Sequence, residues 1–402
     1  MSKKTTKRAT KELTRKQRSR LEREKLMERI IIWGVVALTV IVVGILGAGL
    51  IVEHVVKARQ PVATVGGVPI TTADFQARVR FTRMQLNNQL EYLYAQQQAL
   101  DPTDPANKSY LEYIQGNIRN LQEQLSESNA LIIGEQTLEQ MIQDELIRQE
   151  AKRRNITVSK EELQEEIEQY FGYQRNPPTP VPLPTETAPV TANAVLTPTA
   201  TPLPTPTPLS EQEFQRRYNE FLKSLKALKI SERQYRSWVE ASLLLDKVRA
   251  QFIEEAPTVA EQVKLRYISA GSEEKAKELV ARLDAGEEMQ TLIEEAQQQD
   301  EEAGNDLYGN ELDWYPKSIL ANYLGKEVAD AAFTLEVGGH SQPILSQSNR
   351  YMVIEVLGRE VRELDAFSRQ QLGEEAFQEW LKTQEEIAVT RGTYRDRVPV
   401  EP

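Results

Sequence analysis

The sequence predicts an α+β protein behind a single membrane-spanning helix, and three observations lead to this fold class. Residues 30–52 form an uncharged apolar run, residues 71–170 and 210–255 carry apolar side chains at helical spacing, and residues 262–361 mix strand and helix patterns. Apolar side chains that alternate indicate strands, whereas apolar side chains that recur with a helical period indicate helices. The 402 residues are enough for about two or three folded units.

The run at 30–52 is predicted to be a retained transmembrane helix. Its 23 uncharged residues would span roughly 34 Å as a helix, enough for a hydrocarbon core of about 30 Å. Residues 1–29 hold twelve Lys or Arg and four Glu, a local net charge of +8, whereas the whole chain carries −11. The positive-inside rule therefore places 1–29 in the cytoplasm and 53–402 outside it. The competing interpretation is a cleaved signal peptide, whose apolar region is usually only about 7–15 residues long.

The residue types that the chain lacks exclude several kinds of chemistry. It contains no cysteine, so a disulfide framework, a thiol nucleophile and a lipid-modified cysteine are excluded. Its two histidines, His54 and His340, show no ligand spacing, so we expect no metal site. The basic tail 1–29 has no aromatic residue that could stack on a base, so we expect it to contact anionic lipid and not nucleic acid. The oligomeric state stays open.

Residues 61–258 are predicted to form one helical domain with an insertion. Helix starts are indicated by Thr71-x-x-Asp74 and by the capping boxes that begin at Ser159 and Ser231. Residues 176–210 contain eleven of the chain's 20 prolines and nine threonines. Because proline cannot donate a backbone hydrogen bond, this segment is predicted to be an extended tether. A glycosylated stalk and a Pro-rich docking segment are the alternatives.

Three segments of the helical region resemble the N-terminal chaperone domain of SurA-like and PrsA-like export foldases. They are ATVGGVPIT at 63–71, the run at 138–159 that begins LEQMIQDEL, and the helix at 234–255. The resemblance covers residues 61–170 and 210–258 and implies binding of unfolded polypeptides. In that family a final helix returns to complete the chaperone domain, and residues 364–390 are expected to be this helix.

Four short motifs follow one another along residues 262–361. They are LDAG at 283–286, GNELDW at 309–314, AAFTLEVG at 331–338 and SQP at 341–343. In this order they resemble the landmarks of a parvulin-type prolyl isomerase domain. The predicted order of elements is strand, two helices, loop, short helix and strand, which is an α+β arrangement.

The resemblance also implies where the catalytic residues of a parvulin should lie, and there the sequence departs from the family. Active parvulins have two buried histidines and a neighbouring Asp or Cys beside an apolar proline pocket. Tyr267 stands at the first histidine position and Met352 at the second, while Asp300 or Glu301 is the candidate for the Asp or Cys. The resemblance assigns substrate-binding roles to Leu312, Trp314, Val328 and Phe333.

The sequence thus predicts a single-pass membrane protein whose larger part lies in the cell envelope. As a foldase or chaperone it would bind unfolded or Pro-containing polypeptides, with isomerase activity that is weak or lost. Rotation about an X-Pro bond has a barrier of about 18–20 kcal/mol and needs no nucleophile, metal or cofactor. Two alternatives stay open. One is an active isomerase that uses Tyr267 as its polar group, and the other is a non-catalytic docking or scaffold protein of the envelope.

Overall fold

The computed structural model describes residues 57–175, 209–298 and 306–401, together with Met27, Trp33, Leu38, Thr39 and Val42. No helix among these residues is both long enough and apolar enough to cross a bilayer. Apart from the five single residues, the predicted tail 1–29 and the predicted span 30–52 lie outside the described part of the chain. Nearly all of the Pro/Thr-rich segment, residues 176–208, lies outside it as well.

The chain divides into two compact units. The first lies within Met1–Thr64, Val68–Thr137 and Arg391–Pro402, and the second within Val65–Gly67 and Leu138–Thr390. The helices are α1 (Thr72–Ala99), α2 (Lys108–Leu125), α3 (Ala130–Arg154), α4 (Lys160–Tyr170), α5 (Glu211–Ala227), α6 (Glu232–Glu255), α7 (Glu273–Asp284), α8 (Met289–Gln298), α9 (Lys317–Leu324), α10 (Lys326–Thr334) and α11 (Ala366–Ala388). The strands are β1 (Pro61–Val65), β2 (Val68–Thr71), β3 (Val259–Ala270), β4 (Leu307–Pro316), β5 (Ile344–Leu345), β6 (Tyr351–Glu363) and β7 (Val389–Arg391).

The first unit is built around the helices α1 and α2. Thr71 caps α1, because its side chain accepts a hydrogen bond from the Asp74 N–H, as the sequence predicts. One face of α2 is apolar and buried, through Ile114, Ile118 and Leu121. The C-terminal segment joins this unit, where the Tyr394 ring meets the Phe75 ring edge-on with 6.0 Å between their centroids.

The helical part of the second unit contains α4, α5, α6 and α11. The predicted capping boxes at Ser159 and Ser231 are confirmed, since both reciprocal hydrogen bonds are present in each. Helix α11 packs on α6, with the Phe252 ring centroid 5.6 Å from that of Phe377. This approach depends on Gly373, because a Cβ built there would lie 2.4 Å from the Ile253 Cα.

A four-stranded antiparallel sheet follows, with the strand order β4-β3-β6-β5. One of its two inner strands, β3, is buried on both faces. On one face Ile268 and Ala270 pack against α7 and α8, and on the other Val263 and Leu265 pack against α9 and α10. Helices therefore cover both faces of the sheet. Its two edge strands are β4 and β5.

Three elements of this region, β4, α9 and the two-residue strand β5, are missing from the sequence prediction. The motif at 309–314 lies inside β4 and not in a loop. Its strand pattern is hidden because β4 is an edge strand with exposed charged residues, Glu311 and Asp313. Charged side chains on an edge strand hinder pairing with other chains, but they also obscure the apolar alternation from which strands are predicted.

The described residues on either side of the Pro/Thr-rich segment lie close together. The Tyr173 and Phe214 rings stack with 5.4 Å between their centroids. The Phe171 ring meets Phe214, Tyr218 and Phe221 edge-on, with centroid distances of 5.4–6.0 Å. Arg175, the last described residue before the segment, pairs with Glu168 at 2.5 Å. These contacts form an aromatic clamp at the point where the segment leaves and rejoins the helical domain.

Replacing residues 177–208 by about eight Gly and Ser residues should raise the free energy of unfolding by about 1 kcal/mol. The clamp already holds the two ends together, and each halving of a flexible loop lowers the entropic cost of closing it by about 0.6 kcal/mol. Chemical denaturation measures the change. Phe214→Ala serves as the comparison and should cost about 3–5 kcal/mol, because Phe214 is fully buried. A loss of more than about 2 kcal/mol in the shortened chain would mean that the segment is part of the folded core.

Candidate functional site

The predicted site lies on the sheet face that α9 and α10 cover. The buried residues there form one apolar cluster, here called the front cluster: Val263, Leu265, Tyr267, Leu312, Leu320, Leu324, Val328, Ala329, Ala332, Met352 and Ile354. It brings together four of the predicted site residues, namely Tyr267, Met352, Leu312 and Val328, and Phe333 packs against it. The face is thus filled with side chains, among which Val328 is completely buried.

Tyr267 and Met352 are diagonal neighbours on adjacent strands. Tyr267 pairs with Ile354, and Ser269, two residues further along β3, pairs with Met352. Residues two apart on a strand point to the same face, and diagonal partners of this kind have Cα atoms about 7–8 Å apart. Tyr267 is 4% exposed and Met352 is 5% exposed. The two positions at which the resemblance implies histidines are therefore adjacent, buried and occupied by a phenol and a thioether.

The Tyr267 phenol belongs to a group of three tyrosines. Its ring centroid lies 6.2 Å from that of Tyr308. Burial raises the pKa of Tyr267, and the nearby side chains of Tyr323 and Tyr308 raise it further, partly through hydrogen bonding. Tyr308 is 56% exposed and Tyr323 is 62% exposed. We call these three residues the phenol trio, with Tyr267 at its buried end and two tyrosines at the surface.

Tyr308 is positioned by hydrogen bonds at the end of the sheet. The Ser269 hydroxyl donates to the Tyr308 carbonyl at 3.3 Å. The Arg350 guanidinium donates to the Ser269 carbonyl at 3.2 Å and to the Asp306 carbonyl at 2.6 Å. A hydrogen bond from Lys275 lowers the pKa of the Asp306 carboxyl, and the charge of Arg350 lowers it further. Together these bonds fix the start of β4 beside the end of β3.

Tyr323 is positioned by the sharp corner between α9 and α10. Gly325 has a φ of +108°, a conformation that side-chain-bearing residues rarely adopt. The Gln347 amide donates to the Ala321 carbonyl at 2.8 Å, which attaches the end of α9 to the turn that follows β5. A Cβ on Gly325 would lie only 3.0 Å from the Gln347 Cγ. The corner therefore needs glycine both for its backbone angle and for this close approach.

Trp314 lies outside the front cluster. Its ring packs against Gly358, where an added Cβ would come within 2.6 Å of the Trp314 Cη2 atom. The Arg362 guanidinium lies over the same ring, 4.5 Å from its centroid. Trp314 thus contacts β6 instead of joining the other predicted substrate-binding residues.

The remaining candidate polar residues are His340, His54, Asp300 and Glu301. Asp300 and Glu301 lie outside the described residues, as does His54. His340 has its Nε2 atom 3.1 Å from the Asp284 Oδ1 atom. In the described part of the chain, no group of three or more His, Cys, Asp or Glu is placed to hold a metal ion.

Tyr308 and Tyr323 were not predicted from the sequence. The sequence does indicate the side of Tyr308 once β4 is recognised as a strand. Tyr308 is four residues from the buried Leu312, so both side chains lie on the same face of β4. Gly309, between them, points to the other face, since a Cβ there would meet Ile293. Tyr323 has no comparable signal, because its place depends on the corner at Gly325 and on the contact of that corner with Gln347.

Comparison with known proteins adds two domain matches. A family model described as the SurA-like N-terminal domain matches residues 106–177, and one described as the PPIC-type PPIASE domain matches residues 244–369. No curated protein sequence matches the chain.

Several solved structures are similar to the chain at low identity. Peptidylprolyl isomerase PrsA from Bacillus anthracis is 18% identical, with 62% of this chain and 95% of that chain covered and a TM-score of 0.32. The PrsA from Bacillus cereus is 17% identical, with 66% and 83% covered and a TM-score of 0.34. A structure of SurA-like chaperones from Campylobacter jejuni is 12% identical, with 83% and 98% covered and a TM-score of 0.23.

The raised pKa of Tyr267 predicts a loss of stability in alkaline solution. In the unfolded chain this phenol ionises near pH 10, whereas in the folded chain it stays protonated to a higher pH. Its contribution to stability is therefore complete below pH 10 and is lost as the pH rises further. We expect Tyr267→Phe to remove about 1 kcal/mol of the stability difference between pH 9 and pH 11, measured by chemical denaturation. Tyr315→Phe on the same face is the control, since this variant retains Tyr267. If the wild type and Tyr267→Phe lose the same free energy of unfolding between pH 9 and pH 11, the prediction is contradicted.

Proposed function

We propose that this chain, a SurA- and PrsA-like protein with a parvulin-type peptidyl-prolyl isomerase domain, is a membrane-anchored foldase with weak or no isomerase activity. Its clients are unfolded or Pro-containing polypeptides outside the cytoplasm. The observation that carries the proposal is the pair Tyr267 and Met352, which lie side by side in the front cluster without an imidazole.

The chemistry of proline isomerisation explains how a site of this kind could bind a Pro-containing segment and yet catalyse its isomerisation weakly or not at all. An isomerase must hold the proline ring and also stabilise the twisted amide, whose nitrogen has lost its conjugation with the carbonyl. Phe333, which is only partly buried where it packs against the front cluster, offers apolar surface for a proline ring. Tyr267 offers one neutral O–H, and its raised pKa keeps it from acting as a base at neutral pH. Met352 offers no proton donor.

The distinction matters because affinity and rate come from different contacts. Interactions that are equal in the planar and twisted states of the X-Pro bond increase affinity alone, and only contacts that strengthen in the twisted state increase the rate. An apolar face retains the first kind of contact when the imidazoles are replaced. A chaperone needs only that first kind, because holding an unfolded segment already slows its aggregation.

Membrane anchoring is the second part of the proposal. Its support is the uncharged run at 30–52 and the local charge of +8 in the residues before it. A retained helix would keep the folded units close to the bilayer from which exported chains emerge. Envelope location follows from this orientation, with residues 1–29 on the cytoplasmic side.

Protease treatment of intact cells or spheroplasts tests the orientation. Epitopes after residue 60 should be digested, and epitopes before residue 29 should be spared until the membrane is permeabilised. The physical reason is that the basic flank stays on the cytoplasmic side. The reverse pattern, or a mature chain that begins near residue 50, would exclude a retained anchor in this orientation.

A pair of client assays tests the division between binding and catalysis. The protein should suppress aggregation of an unfolded client in proportion to its concentration. It should leave unchanged a refolding phase that is limited by X-Pro isomerisation, which takes tens to hundreds of seconds without a catalyst. Tyr267→His combined with Met352→His should then accelerate that phase, because the two positions are adjacent on one face.

The single variants Tyr267→His and Met352→His are the matched controls, and each should accelerate refolding less than the pair. All three variants should retain aggregation suppression. Strong catalysis by the unmodified protein that Tyr267→Phe abolishes would instead establish the alternative, an active isomerase that depends on the phenol. If the protein neither catalyses isomerisation nor suppresses aggregation, the result would favour the third hypothesis, a docking or scaffold protein of the envelope.

A further inference from the structure

We infer that Tyr308 and Tyr323 are peptide-contacting residues of this site, whose hydroxyls bind the carbonyl oxygen of the residue before proline while their rings flank the proline itself. This inference rests on the proposed function and names the groups through which the same site would recognise its substrate. The substrate class is an extended segment that contains an X-Pro bond.

The geometry of the phenol trio supports this assignment. Tyr267 is buried within the front cluster, where a peptide has little access to it, whereas more than half of the surface of Tyr308 and of Tyr323 is open to solvent. Tyr308 is on the edge strand β4, with its ring centroid 6.2 Å from that of Tyr267. Tyr323 is at the end of α9, beside the Tyr267 phenol, whose pKa both tyrosines raise. Two exposed phenols from different elements thus converge on one point of the sheet.

The chemistry of the two side chains suits an X-Pro segment. Tyrosine combines an aromatic face with a hydroxyl that can donate to a carbonyl oxygen. Aromatic side chains are a common lining of grooves that bind proline-rich segments, because the flat rings pack against the pyrrolidine. Since the proline nitrogen cannot donate a hydrogen bond, the X-Pro peptide unit itself offers only its carbonyl oxygen as a polar group.

The charged groups at the start of β4, where Tyr308 lies, have partners in the protein. The Lys275 ammonium lies 2.9 Å from the Asp306 carboxylate, and the Arg350 guanidinium lies 3.7 Å from the same carboxylate. Asn310, which pairs with Tyr267 across the strands, accepts a hydrogen bond from the Glu311 N–H. The phenol hydroxyls at the surface are therefore well suited to recognise a neutral peptide carbonyl.

Peptide binding to the full chain in detergent tests the inference. The probes are a labelled Ala-Ala-Phe-Pro-Ala-Ala peptide and the same peptide with alanine in place of proline, measured by fluorescence anisotropy. Tyr308→Phe and Tyr323→Phe remove only a hydroxyl, and each should weaken binding of the proline peptide by about 2- to 10-fold, as expected for one lost neutral hydrogen bond. The alanine peptide should bind more weakly than the proline peptide and should respond less to either variant. Tyr315→Phe is the matched control, because Tyr315 packs against the same cluster but is not part of the trio.

A second measurement reports contact directly. In protein labelled with ¹³C at the tyrosine Cζ atoms, addition of the proline peptide should shift the signals of Tyr308 and Tyr323, assigned through the two Phe variants. Tyr92, which is exposed in the first unit, supplies a reference signal that should not move.

The outcomes separate this inference from the proposed function. Peptide binding that persists unchanged in both Phe variants, with no shift at Tyr308 or Tyr323, would overturn the inference and leave the foldase proposal standing. Equal weakening by Tyr315→Phe would overturn it too, because the effect would not be specific to the trio. Failure of the unmodified protein both to bind the peptide and to suppress client aggregation would overturn the foldase proposal itself.

Discussion

Burial of β3 on both faces is the constraint on which the rest of the sheet domain depends. A strand in this position needs apolar side chains on both sides, and its neighbours must pair in one register. Ile268 and Ala270 then face α7 and α8, while Leu265 and Tyr267 face α9 and α10. A shift by one residue would exchange these two sets, so the same packing that stabilises the sheet also decides which residues form the candidate site.

This constraint explains why the departure from the parvulin pattern is compatible with the fold. A buried imidazole pair needs hydrogen-bond partners for its ring nitrogens, whereas a methionine at position 352 needs none. Tyr267 packs its ring in the front cluster and has the two surface tyrosines near its hydroxyl. The site is thus filled by side chains that suit an apolar interior, and the exposed hydroxyls beside it are those of Tyr308 and Tyr323.

The sequence predicted those parts of the fold that depend on residues close together along the chain. Alternation placed Tyr267 in a strand, and the capping boxes at Ser159 and Ser231 marked helix starts that the structure confirms. Sequence reasoning missed β4, because an edge strand with exposed charges lacks clear alternation. It also missed Tyr323, whose position results from a contact between Gly325 and Gln347, residues far apart along the chain. Periodicity carries no information about such a contact.

The aromatic clamp at Tyr173 and Phe214 has a consequence for how the chain responds to cleavage. A cut anywhere within residues 177–208 would divide the helical domain into two fragments that stay associated through the buried rings of Phe214 and its neighbours. The cleaved protein would remain folded under native conditions. Once unfolded, however, its two pieces would have to find each other by diffusion, so recovery would become second order and would slow on dilution. The intact tether supplies the effective concentration that makes the association unimolecular.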